Sequence, residues 1–373
     1  MRTVGRRRAA IAGAATLSLV IAGPAAAEDI NPDYRELVER YARGERASAV
    51  AGLGAFSDAA MARIARAVEA DALGGERGKP APRPFPLRAA VMLHFDRDEA
   101  ERPDDSGSEQ PRHCPGKSAD VAAHYAGLLA RRDETASFAR RFFLALAYRS
   151  QWDACLREAE QWARAGLKLF PRDPDLLMAA GSAIEEAATL AAGTATAEGS
   201  PMTARQRDAA RDAAAERRAS YVRARVLYED ATVAADRPLA RVRLGRVLWH
   251  LGDLDAARTA LEHAVGSGTS DPRLLYLAYL FLGRVHEDAG RLDHAVEQYR
   301  VALDLDPSAQ AAAVALSHAL RTAGEAEESR SVLRTALAQA GRRPHRDAFW
   351  EYPMGDAGRY EELFADLRRE SLQ

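Results

Sequence analysis

Lysine is almost missing from this chain. Of its 52 basic residues only Lys79, Lys117 and Lys168 are lysines, a bias that fits codon composition better than a binding requirement. Cysteine is scarce too, with two in 373 residues, and aromatic residues make up 7%. These shortages exclude a small disulfide-stapled scaffold and a multi-cysteine zinc domain. Neither sign of charge is in excess, and a formal net charge of −2 argues against nucleic-acid binding by bulk electrostatics. Strand periodicity is also absent, since no stretch alternates apolar and polar residues over a useful length, so the chain reads as helices. What is present is 47% hydrophobic and 28% charged residues, an ordinary folded composition. The length exceeds what one compact core holds, which predicts two or three domains or a repeat array.

The first 27 residues have the layout of a secretory signal peptide. Arg2, Arg6, Arg7 and Arg8 precede an apolar run from Ala9 to Gly23, and Ala25-x-Ala27 suits cleavage before Glu28. The run is about 15 residues, short of the roughly 20 that span a bilayer. The chain is therefore expected to be exported, soluble in the periplasm or outside the cell, with no membrane span after cleavage. Cleavage removes four arginines and no acids, which takes the charge from −2 to −6. In an oxidising compartment Cys114 and Cys155 could pair. Cys114 lies in a Pro-rich loop and Cys155 in a helical pattern, and a buried Cys155 beside an exposed Cys114 is the alternative.

The C-terminal half repeats itself. Gly245-Arg-Val-Leu-Trp-His-Leu-Gly252-Asp-Leu-Asp-Ala-Ala257 aligns with Gly283-Arg-Val-His-Glu-Asp-Ala-Gly290-Arg-Leu-Asp-His-Ala295 at an offset of 38. Each copy continues with a large residue (Leu261, Tyr299) and then an alanine (Ala264, Ala302). A third copy keeps Leu316, Leu320, Gly324, Leu333 and Ala336. Small residues stand where two antiparallel helices must approach closely, Gly290 stands where a helix must end in a left-handed turn, and Pro307 stops the next helix. The sequence resembles the tetratricopeptide repeat (TPR) in Tyr279, Leu282, Gly283, Ala295, Tyr299, Ala302 and Pro307, with His286 as the departure. The resemblance implies an all-α, right-handed α-solenoid of antiparallel helix hairpins.

The pattern weakens toward the N-terminus. Residues 28–135 read as a helical region with polar, Pro-rich loops at 74–86 and 96–118. Residues 136–237 read as degenerate TPR-like helix pairs with an insertion at 187–218, whose latter part from Thr203 is a charged helix extension. Residues 238–341 hold the three repeats, and 342–373 read as a C-terminal capping helix over an otherwise exposed apolar end.

No catalytic motif is complete. Cys114-Pro-Gly116-Lys117-Ser118 ends like a phosphate loop, but Pro111 stands where that motif needs glycine and no strand precedes it. His113, Cys114 and His124 lack zinc spacing, and Gly290 stands where a His-Glu-x-x-His pair starting at His286 would need its second histidine. Neither a metal nor another cofactor is expected, and the chain is not expected to be an enzyme. The resemblance places ligand-facing side chains on the first helix of each repeat. There Arg246, Arg284 and His318 form a basic row, with Trp249, His250, Glu287 and Arg321 beside them. A protein or peptide with acidic or C-terminal carboxylate groups could be held by charge-assisted bonds, with Trp249 as an apolar anchor. The expected function is an exported interaction scaffold. The alternatives are an envelope enzyme acting on carbohydrate or peptidoglycan, its site in 87–135, and a purely structural spacer.

Overall fold

Helix boundaries follow local chemistry. Pro32, Pro238 and Pro272 open helices at a position whose missing N–H costs nothing, and the side chains of Asn31, Thr203 and Asp271 accept hydrogen bonds from first-turn backbone N–H groups. Gly290 ends a helix at φ +72°, in the left-handed region that other residues enter only at a cost. Gly283 is small for a different reason: a Cβ there would lie 2.2 Å from Tyr299 Cε1, so the two helices meet only because glycine leaves the room.

The computed structural model describes residues 30–72, 85–101, 114–193, 203–339 and 347–372, and every regular element among them is helical. Helices α1 (Pro32–Ala42), α2 (Arg46–Leu53) and α3 (Asp58–Ala72) form the N-terminal edge. Six antiparallel hairpins follow in sequence order. They are α4 (Leu87–Ala100) with α5 (Lys117–Leu129), α6 (Asp133–Trp152) with α7 (Leu156–Leu169), and α8 (Pro174–Gly193) with α9 (Ala204–Ala234). Then come α10 (Pro238–Leu251) with α11 (Leu254–Gly266), α12 (Pro272–Asp288) with α13 (Leu292–Leu305), and α14 (Gln310–Thr322) with α15 (Ala326–Gln339). The fold is an all-α solenoid. The signal segment expected at 1–27 lies outside the described residues, as does most of each loop expected at 74–86 and 96–118.

One loop expectation is corrected. Asp96 to Ala100 belong to α4, with Asp96 and Asp98 buried. The reason is long-range pairing. Asp96 accepts from Tyr41 Oη at 2.5 Å and from both Nε and Nη2 of Arg368, more than 270 positions away, and Asp98 accepts from the Gly116 backbone N–H at 2.9 Å. A carboxylate so compensated can be buried inside a helix that local polarity would end.

The end of the chain is the second correction. Residues 347–372 do not cover α15; Leu337 there stays 74% exposed and Leu333 is 37% exposed. Instead the tail runs back along the first helices of the hairpins. Short helix α16 (Ala348–Glu351) packs on α12, a 3-10 turn at Gly355–Arg359 packs on α6, and α17 (Tyr360–Ser371) packs on α6 and α4. The tail thereby joins both apolar cores. Tyr360, Phe364 and Leu367 belong to the core of the N-terminal half, while Ala348 and Tyr352 belong to the core built on α10, α12 and α14. Phe364 decides the direction, because its ring stacks on Phe95 with centroids 3.8 Å apart and meets Phe142 edge-on.

Cys114 and Cys155 are joined, tying the start of α5 to the start of α7 across 41 positions, with Cα atoms 5.6 Å apart. Closing a loop of that length restricts the unfolded chain. Replacing both cysteines by serine is expected to lower the unfolding free energy by about 3 kcal/mol, seen as a shifted urea midpoint. A midpoint equal to that of the parent would show that the bond adds nothing to stability.

Candidate docking face

The face lined by the first helices carries a buried polar centre. Glu185 of α8 stands beside Glu186 in a mostly apolar stretch and is 1% exposed. Its carboxylate accepts from Tyr228 Oη at 2.7 Å, Arg243 Nη1 at 3.0 Å, Arg246 Nη1 at 2.5 Å and Tyr352 Oη at 2.9 Å. Burial alone would push the Glu185 carboxyl up. The Arg246 and Arg243 guanidiniums, with the Tyr228 hydroxyl, outweigh burial and hold it below the usual carboxylate range. Both guanidiniums also lie over the Tyr352 ring, at 4.6 Å and 4.9 Å.

The tail supplies the rest of the arrangement. The Tyr352 carbonyl accepts from Arg243 Nη2 at 3.0 Å and the Pro353 carbonyl accepts from Gln151 Nε2 at 2.8 Å. At the other end of the short helix Asp347 accepts from Tyr276 Oη at 2.8 Å and from the Ala311 backbone N–H at 2.9 Å. Residues of α6, α8, α10, α12 and α14 thus hold Asp347–Pro353 by polar contacts along the face where a ligand was expected.

The predicted site residues have separate fates. Arg246 is 7% exposed and committed to Glu185, so the basic row is broken at its first member. Trp249 Nε1 donates to Asp288 at 2.7 Å. His250 stacks flat on Tyr221 with centroids 4.6 Å apart, and burial, helped by Arg246, pushes its pKa down to about 4, so it is neutral at pH 7. Glu287 accepts from Tyr299 Oη at 2.7 Å and pairs with His318 at 2.5 Å. Arg321 is exposed on α14.

Arg284 remains. It is half-buried and lines a cleft of 390 Å³ whose walls are mostly apolar, from Val314 of α14, Leu333 and Leu337 of α15, and Phe349 and Trp350 of the tail, with Gln310 beside them. Among the described residues no carboxylate lies within ion-pair distance of Arg284. A single guanidinium in a mostly apolar cleft is an arrangement that can take an apolar side chain and a carboxylate together.

The catalytic and metal candidates are otherwise engaged. The Gly116 N–H donates to Asp98, and Lys117 pairs with Asp58 at 3.0 Å. His113 lies outside the described residues. Cys114, Cys155 and Glu158 are close together, but both sulfurs are in the disulfide and neither is a thiolate ligand. Sequence reasoning missed Glu185, Arg243, Asp347 and Tyr352. The available signal was the Glu185-Glu186 pair inside the apolar run of α8, two acids on a helix that otherwise has no reason to carry them.

A family model for the tetratricopeptide repeat matches residues 244–310. Among solved structures, the chain is similar to MamA from Desulfovibrio magneticus RS-1, with 17% identity and a TM-score of 0.41 over 55% of this chain and 97% of that one. It is also similar to YrrB, described as a TPR protein with an unusual peptide-binding site, with 17% identity and a TM-score of 0.39 over 61% and 98%. PilF of Pseudomonas aeruginosa is similar at 15% identity and a TM-score of 0.41 over 61% and 88%. No curated protein matches the chain. No helix among the described residues is long and apolar enough to cross a membrane.

Proposed function

We propose that this chain, a tetratricopeptide-repeat protein, works as an exported, non-enzymatic scaffold that holds a segment of another protein at the open end of its inner face. The observation that carries the reading is Arg284, a guanidinium with no ion-pair partner among the described residues, in a cleft walled mostly by apolar side chains beside the short tail helix. The fitting ligand presents a large aliphatic or aromatic side chain and a nearby carboxylate, with exposed Arg321 available to further acidic groups. The leader-like residues 1–27 and the Cys114–Cys155 disulfide support an oxidising compartment outside the cytoplasm.

The test is a crosslinking pull-down from the native envelope with the wild-type chain and with Arg284→Glu. Arg246 is unsuitable as a target, because its loss would leave a buried charge. Arg284→Glu should keep the helical circular dichroism and lose the partner by roughly tenfold or more, the scale of one charge-assisted contact. A partner captured equally by both chains would place the contact elsewhere and defeat the cleft reading.

A further inference from the structure

We propose that Asp347–Pro353 is an intramolecular ligand of the inner face, and that an external segment with an acidic residue five positions ahead of a Tyr-Pro pair takes its place there. The inference rests on the reading of the inner face as the docking side, and it adds what that side selects and what already occupies it.

The segment is held as a bound peptide is held. Of its seven residues Asp347, Ala348 and Tyr352 are buried, Phe349 is half-buried and Trp350 is 59% exposed, so apolar contact is confined to Ala348, Phe349 and the Tyr352 ring, the two rings packing on Phe281. Its polar anchors come from five helices. Asp347 meets Tyr276 and the Ala311 backbone, the Tyr352 hydroxyl and carbonyl meet Glu185 and Arg243, and the Pro353 carbonyl meets Gln151.

The receptor half of these contacts exists without the segment. Glu185 stays paired with Arg243, Arg246 and Tyr228. What departs with Tyr352 is one donor to Glu185, one acceptor for Arg243 and the ring beneath two guanidiniums. A replacement lacking the hydroxyl leaves a buried carboxylate short of a donor, so tyrosine is selected over phenylalanine. The acid is selected because the Ala311 N–H and Tyr276 Oη converge on one carboxylate.

Both ends of the segment stay tethered when it leaves. Downstream, Phe364 fixes α17 against Phe95, and Arg368 pairs with Asp96. Tethering keeps the segment at high effective concentration, so an external peptide competes against an occupant rather than filling an open groove. Occupancy also shapes the cleft beside it, since Phe349 and Trp350 form one of its walls.

The probe is a labelled synthetic peptide of residues 345–355, His-Arg-Asp-Ala-Phe-Trp-Glu-Tyr-Pro-Met-Gly. It is titrated into the full chain and into the full chain carrying Asp347→Ala, which loosens the internal competitor. Binding to the variant is expected to be roughly tenfold tighter than to the parent, and a Tyr-to-Phe peptide roughly tenfold weaker than the parent peptide. Equal affinity for the two chains, no binding to either, or indifference to the tyrosine overturns the proposal. If Asp347→Ala loses its helical signal, the wild-type chain is labelled with 5-fluorotryptophan instead. Saturating peptide must then shift the Trp350 resonance, and an unmoved resonance overturns the proposal. A chain that captures its partner in an Arg284-dependent way yet fails these tests keeps the cleft reading and loses this one.

Discussion

Glu185→Ala lowers the unfolding free energy by about 3–5 kcal/mol, the scale of removing one partner from a buried ion pair. The substitution leaves Arg243 and Arg246, 2% and 7% exposed, with no carboxylate between them, and removes the acceptor of the Tyr228 and Tyr352 hydroxyls. Glu185→Gln keeps the volume and one acceptor, so it costs less than alanine but remains destabilising, because an amide cannot neutralise two guanidiniums. The pH dependence has a defined sign. A carboxyl held below its ordinary value contributes stability that is fully present above that value and is lost as pH falls through the folded one. The acid limb of the Glu185→Gln stability curve is therefore shallower than that of the parent. Urea titrations of the three chains at pH 7 and along the acid limb read all of this. A Glu185→Ala chain within about 1 kcal/mol of the parent would contradict the assignment of a compensated charge centre.

Phe364→Ala, nine positions from the C-terminus, costs about 3–5 kcal/mol, as large core truncations do. The ring is 2% exposed, stacks on Phe95 and meets Phe142, so its removal opens a hole between α4, α6 and α17. The diagnostic feature is where the loss is felt. A helix covering the last repeat would loosen α14 and α15, whereas this one loosens the N-terminal half. Amide hydrogen exchange of the variant should accelerate in α4 and α6 and remain unchanged in α14 and α15. Acceleration confined to the last hairpin would restore the capping arrangement.

The two halves of the chain differ in how far the sequence reveals them. Gly245, Gly252, Leu261, Gly283, Gly290 and Tyr299 repeat at fixed spacing because each hairpin solves the same packing problem: a small residue opposite a large one and a left-handed residue at the turn. Such demands are local, so they survive in the sequence. The N-terminal hairpins meet them with other residues, and there the pattern weakens. The contacts that decide the candidate site are not local. Asp96 with Arg368 and Glu185 with Tyr352 join positions 272 and 167 apart, and nothing in the spacing of either residue announces the other. The basic row shows the same limit. Arg246, Arg284 and His318 share one position of successive repeats, yet Arg246 turns to Glu185, His318 turns to Glu287, and Arg284 alone meets the cleft. Periodicity fixes which face a residue is on, and its charge partners depend on what other parts of the chain are laid across that face.

The returning tail also narrows what the inner face can do. With α16 and α17 seated, the tail lies on α4, α6 and α12, and the cleft at the last hairpin stays open beside it.

The most direct measurement of this account is amide hydrogen exchange of the intact chain at Tyr360–Ser371. A tail seated on α4 and α6 predicts slow exchange there, comparable to that of α6 itself, with faster exchange in the polar-anchored stretch Asp347–Pro353. Exchange of Tyr360–Ser371 at the rate of an unprotected peptide, while α10 to α14 stay protected, would show the inner face to be open and contradict it.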